Sequence, residues 1–376
     1  MGRKPKRRNP TYRRQGVNLG TCLAIEQGKS IGKGFMGTTV AKARFEHEAV
    51  LSPGVFEQIT ELRIHRPGVV AQEARRRKKR PVLTRDGKLV LLALDHAARG
   101  VTQIRQDKLA MGDRHELLAR ARRVLADPDL DGLVASSDVL EDLFFLNYLE
   151  RKQLGRSFLD GRLLVGTMNR GGIAGTVFEM DDTFTSLTAE RLAELRCDGG
   201  KMMYRMDPQD HASARTMLAC AQAINTLGRR KLAAFLEPQG VLRRADGYEV
   251  QRDTATMVRQ CGIASALGES SLNVWLKLPY CEEFAQVGRA TTLPILLLGG
   301  PARETVADTL REYADGLASS SRVRGAIIGR NLLFPTEADP LPMCRALTAL
   351  VHRNASLNQA LRVFEGADPT RDGARQ

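Results

Sequence analysis

Two lysines interrupt apolar stretches of the sequence, and the chemistry of a buried amine is the most specific feature of the chain. Lys201 and Lys277 each stand among methionine, leucine or tryptophan side chains. Lysine is seldom fully buried, and burial or a second nearby ammonium lowers the pKa of an amine. An amine that has lost its proton can attack a carbonyl and form a Schiff base. The structural alternative is that these amines reach the rim of the fold or pair with Glu237 or Asp95.

Polar side chains and glycines follow the apolar runs, where the loops of a parallel sheet would gather them. They are Asp95, Asn169, Arg170, Tyr204, Arg205, Glu237, Gly299, Gly300, Gly329 and Arg330. Carboxylates at such positions can transfer protons. Glycine-rich turns let backbone N–H groups approach a phosphate, and Arg330 could add a bidentate contact. The alternative interpretation of the glycine pairs is that they form tight turns between strands and helices.

These residues are positioned by short apolar runs that alternate with amphipathic segments from Lys88 onward. The runs are Leu89–Leu94, Gly132–Ala135, Leu163–Gly166, Lys201–Tyr204, Lys231–Leu236, Leu272–Leu278, Pro294–Leu298 and Gly325–Ile328. Short continuous runs of this kind predict parallel strands covered on both faces. The helical segments between them include Arg114–Leu125, Val139–Leu149, Ala212–Leu227 and Arg303–Tyr313.

Eight strands alternating with helices over about 250 residues predict a closed (β/α)8 TIM barrel. In that fold the catalytic groups lie at the carboxyl ends of the strands, which is where the polar residues above stand. A doubly wound open sheet is the alternative architecture. No GxGxxG sequence follows the first strand, which disfavours the dinucleotide-binding form of that alternative.

The chain divides by composition into four parts. These are a basic, disordered leader at 1–50, a helical segment packing on the barrel at 51–87, the barrel at 88–362 and a polar C-terminal tail at 363–376. Ser52 can cap a helix that begins at Pro53, because proline suits the first helical position. The basic run at 70–80 is interpreted as the solvated end of a helix.

The net charge of +14 is concentrated near the N-terminus. Residues 1–80 contain 19 Lys or Arg and 6 Asp or Glu, whereas the rest of the chain contains 38 and 37. A protein whose main role is nucleic-acid binding more often carries its charge on the folded body, so we expect no nucleic-acid partner. Residues 1–35 are the most basic part, and we hypothesise that Met36 is the natural start of the protein.

Two further features restrict where the protein acts and what it binds. No stretch is long and apolar enough to span a membrane, and no secretory signal opens the chain, so we expect a cytoplasmic protein. The six cysteines form no CxxC pair or Cys/His cluster, which indicates reduced thiols packed in the core rather than a zinc site. We also expect a homo-oligomer, as well as a small-molecule substrate.

Several motifs together resemble the class I aldolases of the deoxyribose-phosphate, tagatose-bisphosphate and archaeal-type fructose-bisphosphate group. The matching pieces are Leu94–His96, Lys201, Tyr204, Phe235–Pro238, Trp275–Tyr280, Pro294–Gly300 and Gly325–Asn331. The chain is also similar to a less-studied branch, associated with sugar or inositol catabolism, that carries Asp95–Gly100, Asn169–Gly172 and Phe178–Asp182. The resemblance runs from about Pro53 to Leu361.

This resemblance implies a role for each candidate residue. Lys277 would form the Schiff base, and Lys201 would supply the neighbouring charge that keeps its amine deprotonated and would orient the substrate. Glu237 and Asp95 would transfer protons and dehydrate the carbinolamine. A phosphate would be held by Gly299, Gly300, Gly329 and Arg330, and the further candidates for substrate binding are Asn169, Arg170, Tyr204 and Arg205. No metal or cofactor is implied, because the iminium itself accepts the electrons.

The motifs do not define one substrate. The strand-four sequence Lys201–Pro208 resembles the tagatose-bisphosphate type, whereas Asp95 and His96 resemble the archaeal type. The sequence therefore predicts a lyase acting on a sugar phosphate or a related carbonyl compound in carbohydrate metabolism. One alternative is a thiolase-like or transaldolase-like transfer on the same lysine. Another is an inactive barrel whose basic arm binds nucleic acid.

Overall fold

The computed structural model describes residues 44–171, 180, 182–245, 247–336 and 338–366. Its strands are β1 (Leu89–Leu94), β2 (Gly132–Ala135), β3 (Leu163–Thr167), β4 (Gly199–Met206), β5 (Ala233–Arg244), β6 (Gly247–Val250), β7 (Val274–Leu278), β8 (Ile295–Leu298) and β9 (Val323–Ile328). All except β6 run parallel, in the order β4-β3-β2-β1-β9-β8-β7-β5. Pairing of β4 with β5 closes this ring, so the predicted eight-stranded TIM barrel is confirmed and the open sheet is wrong.

Helices cover the outside of the barrel. They are α1 (His47–Val50), α2 (Pro53–His65), α3 (Val69–Arg76), α4 (Arg114–Val124), α5 (Ser137–Leu154), α6 (Ala189–Glu194), α7 (Ala212–Arg229), α8 (Thr254–Ser265), α9 (Phe284–Arg289), α10 (Val306–Ser319), α11 (Arg330–Leu333), α12 (Leu341–His352) and α13 (Leu357–Glu365). No helix among the described residues is long and apolar enough to cross a membrane.

The side chains of each strand alternate between two apolar layers, as the period of a β-strand requires. The inner layer fills the barrel and consists of Leu89, Leu91, Ala93, Val134, Leu163, Val165, Ala233, Phe235, Leu296 and Ile327. The opposite faces of the strands pack against the helices in the larger, outer core. Glu237 follows Phe235 by two residues on β5, and Lys277 follows Trp275 by two on β7. Both therefore face inward, above the apolar layer.

The sequence does not predict the long β5 or its partner β6. Beyond the barrel, β5 continues as an antiparallel hairpin with β6, in the register Val241↔Val250 to Arg244↔Gly247. The apolar run that predicts this strand ends at Leu236, because the hairpin is mostly polar and its residues are partly exposed. This hairpin lies at the carboxyl end of the barrel, where the candidate residues are gathered.

The basic run at 70–80 is only partly the solvated helix end that we predict, since four of its six basic residues are exposed and two are buried. The helix α3 ends at Arg76, and the side chains of Arg77 and Arg80 are then almost completely buried. Arg77 pairs with Asp198 at 3.3 Å, and Arg80 pairs with Asp131 at 2.6 Å. Both carboxylates immediately precede barrel strands, so these arginines fasten the chain across the amino-terminal end of the barrel.

The described part of the chain begins within the predicted disordered leader. Residues 44–50 are ordered, since α1 packs on α4 and Phe45 lies over the Arg120 guanidinium at 4.6 Å. Leu51, just after α1, is completely buried. At the other end, α13 continues to Glu365, three residues beyond the predicted end of the barrel. The proposed start at Met36 and most of the polar tail lie outside the described residues.

Candidate active site

Four predicted catalytic residues form one contiguous cluster at the carboxyl end of the barrel. The Glu237 carboxylate lies between the two amines, with its Oε2 2.8 Å from Lys277 Nζ and 3.1 Å from Lys201 Nζ. On its other side, Lys201 Nζ is 3.3 Å from Oδ2 of Asp95. All four side chains are more than nine-tenths buried. Water screens these charges little, so each strongly affects the pKa of its neighbours.

Two residues join this cluster that the sequence alone does not single out. Arg99 lies one turn beyond Asp95, and its Nε is 3.5 Å from Oδ2 of that carboxylate. Thr167, the last residue of β3, donates its hydroxyl to the same oxygen at 3.4 Å. The sequence does contain one indication of the Arg99 contact. Arg99 follows Asp95 by four residues, and side chains at i and i+4 meet on a helical turn.

The two carboxylates are ionised. Burial raises the pKa of Asp95, but the charges of Arg99 and Lys201 outweigh it and hold that pKa well below the usual value. Burial likewise opposes ionisation of Glu237, yet Lys201, Lys277 and Arg99 lower the Glu237 pKa strongly. Glu237 is therefore a proton acceptor in direct contact with both amines.

Lys277 is the amine whose environment favours loss of a proton. Burial lowers the pKa of Lys277, the Glu237 carboxylate opposes this shift, and the positive charge of Lys201 adds to it. With Lys277 neutral, the charges of Lys201 and Arg99 balance those of Asp95 and Glu237. Burial also lowers the pKa of the adjacent His96 to about 3, so this imidazole is neutral.

A pocket of about 150 Å³ opens onto this cluster. Lys277 and Glu237 form part of its wall, together with His96 and Arg99. Lys201 and Asp95 do not line it and are only 1% exposed, compared with 6% for Lys277. A ligand in the pocket can therefore reach the Lys277 amine, whereas Lys201 lies behind it.

All four residues predicted to hold a phosphate line the same pocket; they are Gly299, Gly300, Gly329 and Arg330. Gly300 adopts a left-handed backbone with φ +59°, which favours glycine. Gly329 has a packing role, because a Cβ there would approach His96 to 2.2 Å. Asn331 fixes the loop after β8 by donating to the carbonyl oxygens of Gly299 and Pro301 at 2.6 and 2.9 Å.

Three of the predicted substrate-binding residues form a neighbouring buried network instead. Arg170 and Arg205 both pair with Asp182, the latter at 2.6 Å. The amide of Asn169 accepts from the Met203 backbone N–H at 3.1 Å and donates to the Met203 and Asp182 carbonyls. None of the three lines the pocket beside Lys277. Gly172 of the first motif and three residues of the 178–182 motif, Phe178, Glu179 and Asp181, lie outside the described residues.

Tyr204 lies apart from the other candidates, on the outer face of β4. It belongs to the core between barrel and helices and is completely buried. Burial raises the pKa of its hydroxyl, and the nearby thiols of Cys220 on α7 and Cys261 on α8 add to this shift. Residues three apart on a strand face opposite sides, so the spacing from Lys201 to Tyr204 already indicates this separation.

Metal ligation and thiol chemistry have little support within the described part of the chain. Its His, Cys, Asp and Glu residues form no group of three that could hold a metal ion. Four of its five cysteines are buried, all are free thiols, and burial raises the pKa of Cys197 to about 12. The ionisable groups that line the pocket are the Lys277 amine, the Glu237 carboxylate, the His96 imidazole and three guanidiniums.

The closed eight-stranded barrel is an aldolase-like fold, and two lysines and two carboxylates lie at its carboxyl end. The chain belongs to the Cgl0159-like family, whose model matches residues 87–346. The crystal structure of Cgl0159 from Corynebacterium glutamicum is 33% identical, covers 81% of this chain and 99% of its own, and superposes with a TM-score of 0.74.

Two further similarities concern proteins described as aldolases. An uncharacterized aldolase of Saccharolobus solfataricus is 34% identical over 93 residues, which are 24% of this chain and 33% of that protein. The chain thus spans about a third of the length of this curated relative. A Schiff-base-forming fructose-1,6-bisphosphate aldolase is 19% identical, covers 75% of this chain and 99% of its own, and has a TM-score of 0.51. This last similarity is one of fold.

Proposed function

We propose that this protein is a class I aldolase whose Lys277 forms a Schiff base with a sugar phosphate or a related ketone or aldehyde. One observation carries the proposal. Of the two buried lysines, Lys277 lines the pocket at the carboxyl end of the barrel and Lys201 does not. This amine touches an ionised carboxylate and has a lowered pKa. The fold of Schiff-base aldolases agrees with this chemistry.

The reaction begins with attack of the neutral Lys277 amine on the substrate carbonyl, which gives a carbinolamine. Glu237, 2.8 Å from the amine, takes the proton that the attacking nitrogen releases and delivers it to the carbonyl oxygen, which becomes a hydroxyl. A further proton from solvent then protonates this hydroxyl, water leaves, and an iminium that keeps its one N–H remains. Cleavage of the adjacent carbon–carbon bond sends its electron pair into the iminium, while a base removes the proton of the substrate hydroxyl. Protonation of the enamine and hydrolysis then release the second product.

Lys201 and Asp95 support this step without touching the substrate, since neither lines the pocket. Lys201 keeps the pKa of the Lys277 amine low through its positive charge. The Asp95 carboxylate accepts from Lys201 Nζ at 3.3 Å and pairs with Arg99 Nε at 3.5 Å, so it fixes both cations close to the reacting amine. In this assignment Lys201 and Asp95 are positioning residues, and Lys277 and Glu237 are catalytic residues.

Borohydride reduction tests the proposal directly. In the presence of the correct sugar phosphate, borohydride should inactivate the enzyme irreversibly and leave a reduced adduct that mass mapping assigns to Lys277. Lys277→Met should form no adduct, and Lys152→Met, at an exposed lysine on α5, should behave as the wild type. An adduct on Lys201 would reverse the two roles. Full activity of Lys277→Met would exclude the Schiff-base mechanism.

A transfer reaction on the same lysine would give the same adduct but different products. A thiolase-like or transaldolase-like enzyme passes the bound fragment to an acceptor, whereas an aldolase releases it. Product analysis with and without added acceptor aldehydes therefore separates the two reactions. If the barrel were an inactive support for a nucleic-acid-binding arm, no candidate carbonyl compound would give an adduct.

A further inference from the structure

Arg252 is held over the pocket by backbone structure on both sides. The residue before it, Gln251, extends the β5–β6 hairpin by donating its N–H to the Gly240 carbonyl at 2.9 Å. The residue after it, Asp253, is the N-cap of α8 and accepts from the Thr256 N–H at 2.9 Å. The backbone at Arg252 is therefore fixed, although the side chain itself is exposed.

The hairpin that carries Arg252 is itself tied to the loop between β4 and α7. Asp207 accepts a hydrogen bond from the Arg243 backbone N–H at 3.1 Å. From the other strand of the hairpin, the Tyr248 hydroxyl donates to the Asp210 carboxylate. These two attachments hold the hairpin beside the mouth of the barrel, so Arg252 lines the same pocket as Lys277 and Arg330.

Arg252 and Arg330 form no ion pair with any acidic side chain in the described ranges, unlike Arg99. Arg330 is half-buried, and its Nε is buried with no hydrogen-bond partner. Burial lowers the pKa of Arg330, and the nearby charges of Arg99 and Arg252 lower it further. The guanidiniums of Arg99 and Arg252 are thus close enough to affect that of Arg330.

The pocket and the cluster behind it carry more positive than negative charge. The cations are Arg99, Lys201, Arg252, Lys277 and Arg330, and the carboxylates are those of Asp95 and Glu237. With Lys277 neutral for attack, two positive charges remain without a partner, at Arg252 and Arg330. A phosphate monoester carries about two negative charges near pH 7, so it would balance this excess.

We propose that Arg252 is a specificity-determining residue, which together with Arg330 binds the terminal phosphate of the substrate. The inference rests on the proposed Schiff-base function. That function places the reacting carbonyl at Lys277, and the inference gives the opposite end of the same substrate a binding site. The two guanidiniums, one on the loop before α8 and one at the start of α11, can each form paired hydrogen bonds to one phosphate, whereas a hydroxyl cannot neutralise either charge. The left-handed Gly300 leaves open space on the same wall, since a Cβ there would meet nothing within 4 Å.

Binding of inorganic phosphate, measured by calorimetry on the full chain, tests the site independently of catalysis. Arg252→Gln should weaken phosphate binding by about tenfold, the effect of losing one charge-assisted contact. Arg252→Lys should give a smaller loss, because it keeps the charge without the paired geometry. The matched control is Arg244→Gln on the same hairpin, whose side chain pairs with Glu249 at 2.7 Å and does not line the pocket. It should bind phosphate like the wild type.

Kinetics then connect the site to the substrate. Arg252→Gln should lower kcat/KM for a phosphorylated substrate by about tenfold and leave the value for its dephosphorylated analogue unchanged. Equal losses on both substrates, or an unchanged affinity for phosphate, would overturn the role of Arg252.

The two proposals fail in different ways. If Lys277→Met still binds phosphate and Arg252→Gln still weakens that binding, the anion site stands even when no Schiff base can be trapped. If borohydride traps Lys277 but phosphate affinity does not depend on Arg252, the Schiff-base function stands and the specificity role is wrong.

Discussion

At the scale of single residues, the site depends on how the buried charges around Lys277 control the pKa of its amine. Glu237 contacts both lysines, but it raises the pKa of Lys277 while Lys201 lowers it. The pKa of the Lys277 amine therefore depends on the balance of two opposing charges, and a change at either neighbour shifts this pKa. The charge and the shape of Lys201 can be tested separately, because methionine is a neutral replacement of similar length and arginine is a charged one.

We expect Lys201→Met to move the pH dependence of the reaction to higher pH. Removal of this positive charge raises the pKa of the Lys277 amine, so a smaller fraction is neutral at pH 7. Each unit of pKa lowers kcat/KM at neutral pH about tenfold. The measurement is a pH profile of kcat/KM for the wild type, Lys201→Met and Lys201→Arg, which retains the charge. Identical acidic limbs in all three would show that the Lys201 charge does not control Lys277.

The residue scale also shows what the sequence could and could not reveal. Lys201, Lys277, Glu237 and Asp95 stand in strands or directly after them, and their period-two spacing from apolar residues predicts that they face inward. The same rule applied to Tyr204 separates it from Lys201. Arg252 has no such pattern, because it follows a polar hairpin whose position depends on contacts with a distant loop.

At the scale of elements, the amino-terminal end of the barrel is closed by the segment after α3. Arg77 donates to the Arg162 carbonyl at 2.7 Å as well as pairing with Asp198, and its side chain is completely buried. The sequence predicts an exposed basic run, because composition alone does not reveal that two buried aspartates precede strands at this end. The strands, in contrast, are predicted well, since each one is a short apolar run that can be recognised without knowledge of tertiary contacts.

We expect Arg77→Ala to lower the free energy of unfolding by about 3 kcal/mol, because it leaves a buried carboxylate with one fewer cation. Lys79 still lies 3.1 Å from Asp198 and limits the loss. The control is Arg76→Ala, one residue earlier, whose half-exposed side chain is 3.9 Å from Glu73. This variant should lose less than about 1 kcal/mol. Urea unfolding measures both, and equal losses would mean that Arg77 does not fasten the barrel.

A histidine at the same end should make stability depend on pH. His352 of α12 lies 2.9 Å from Asp86 and 3.1 Å from Asp131. Burial opposes protonation, but these two carboxylates outweigh it and raise the pKa of His352. The stabilisation is fully present below the unfolded pKa of about 6.5 and is lost as pH rises through the raised value.

We therefore expect His352→Gln to destabilise the protein more at about pH 6 than at about pH 9. Urea unfolding of both proteins at the two pH values gives the difference. The exposed His65, 3.3 Å from Glu61 on α2, provides the control, and His65→Gln should have little effect at either pH. A constant difference between wild type and His352→Gln would show that His352 does not gain a proton-dependent interaction on folding.

At the scale of the whole molecule, every group assigned to the site lies after residue 94. The charge excess of the N-terminal part is therefore separate from the charge excess of the pocket. The sequence predicts the class of fold because eight apolar runs alternate regularly with helical segments, and each run can be recognised locally. The sequence predicts less well where the folded part begins. Residues 44–51 are held by tertiary contacts with α4 and are not part of the alternation of strands and helices.

We expect deletion of residues 1–43 to leave both kcat/KM and the thermal midpoint unchanged. Deletion of residues 1–51 should lower the thermal midpoint, because it removes the Phe45 contact with Arg120 and the fully buried Leu51. Burial of a leucine contributes about 2 kcal/mol. Thermal unfolding and steady-state kinetics of the two truncated proteins provide the comparison. Loss of activity in the shorter deletion would assign a catalytic role to the first 43 residues.

The closure of the barrel has a consequence for the order in which the protein can fold. β1 pairs on one edge with β9, and Asp86 contacts His352, 266 residues later in the chain. During synthesis β1 therefore has one edge without a partner until nearly the whole chain has left the ribosome. Apolar strands with open edges favour association between chains. The barrel therefore cannot close before β9 has been synthesised and has left the ribosome.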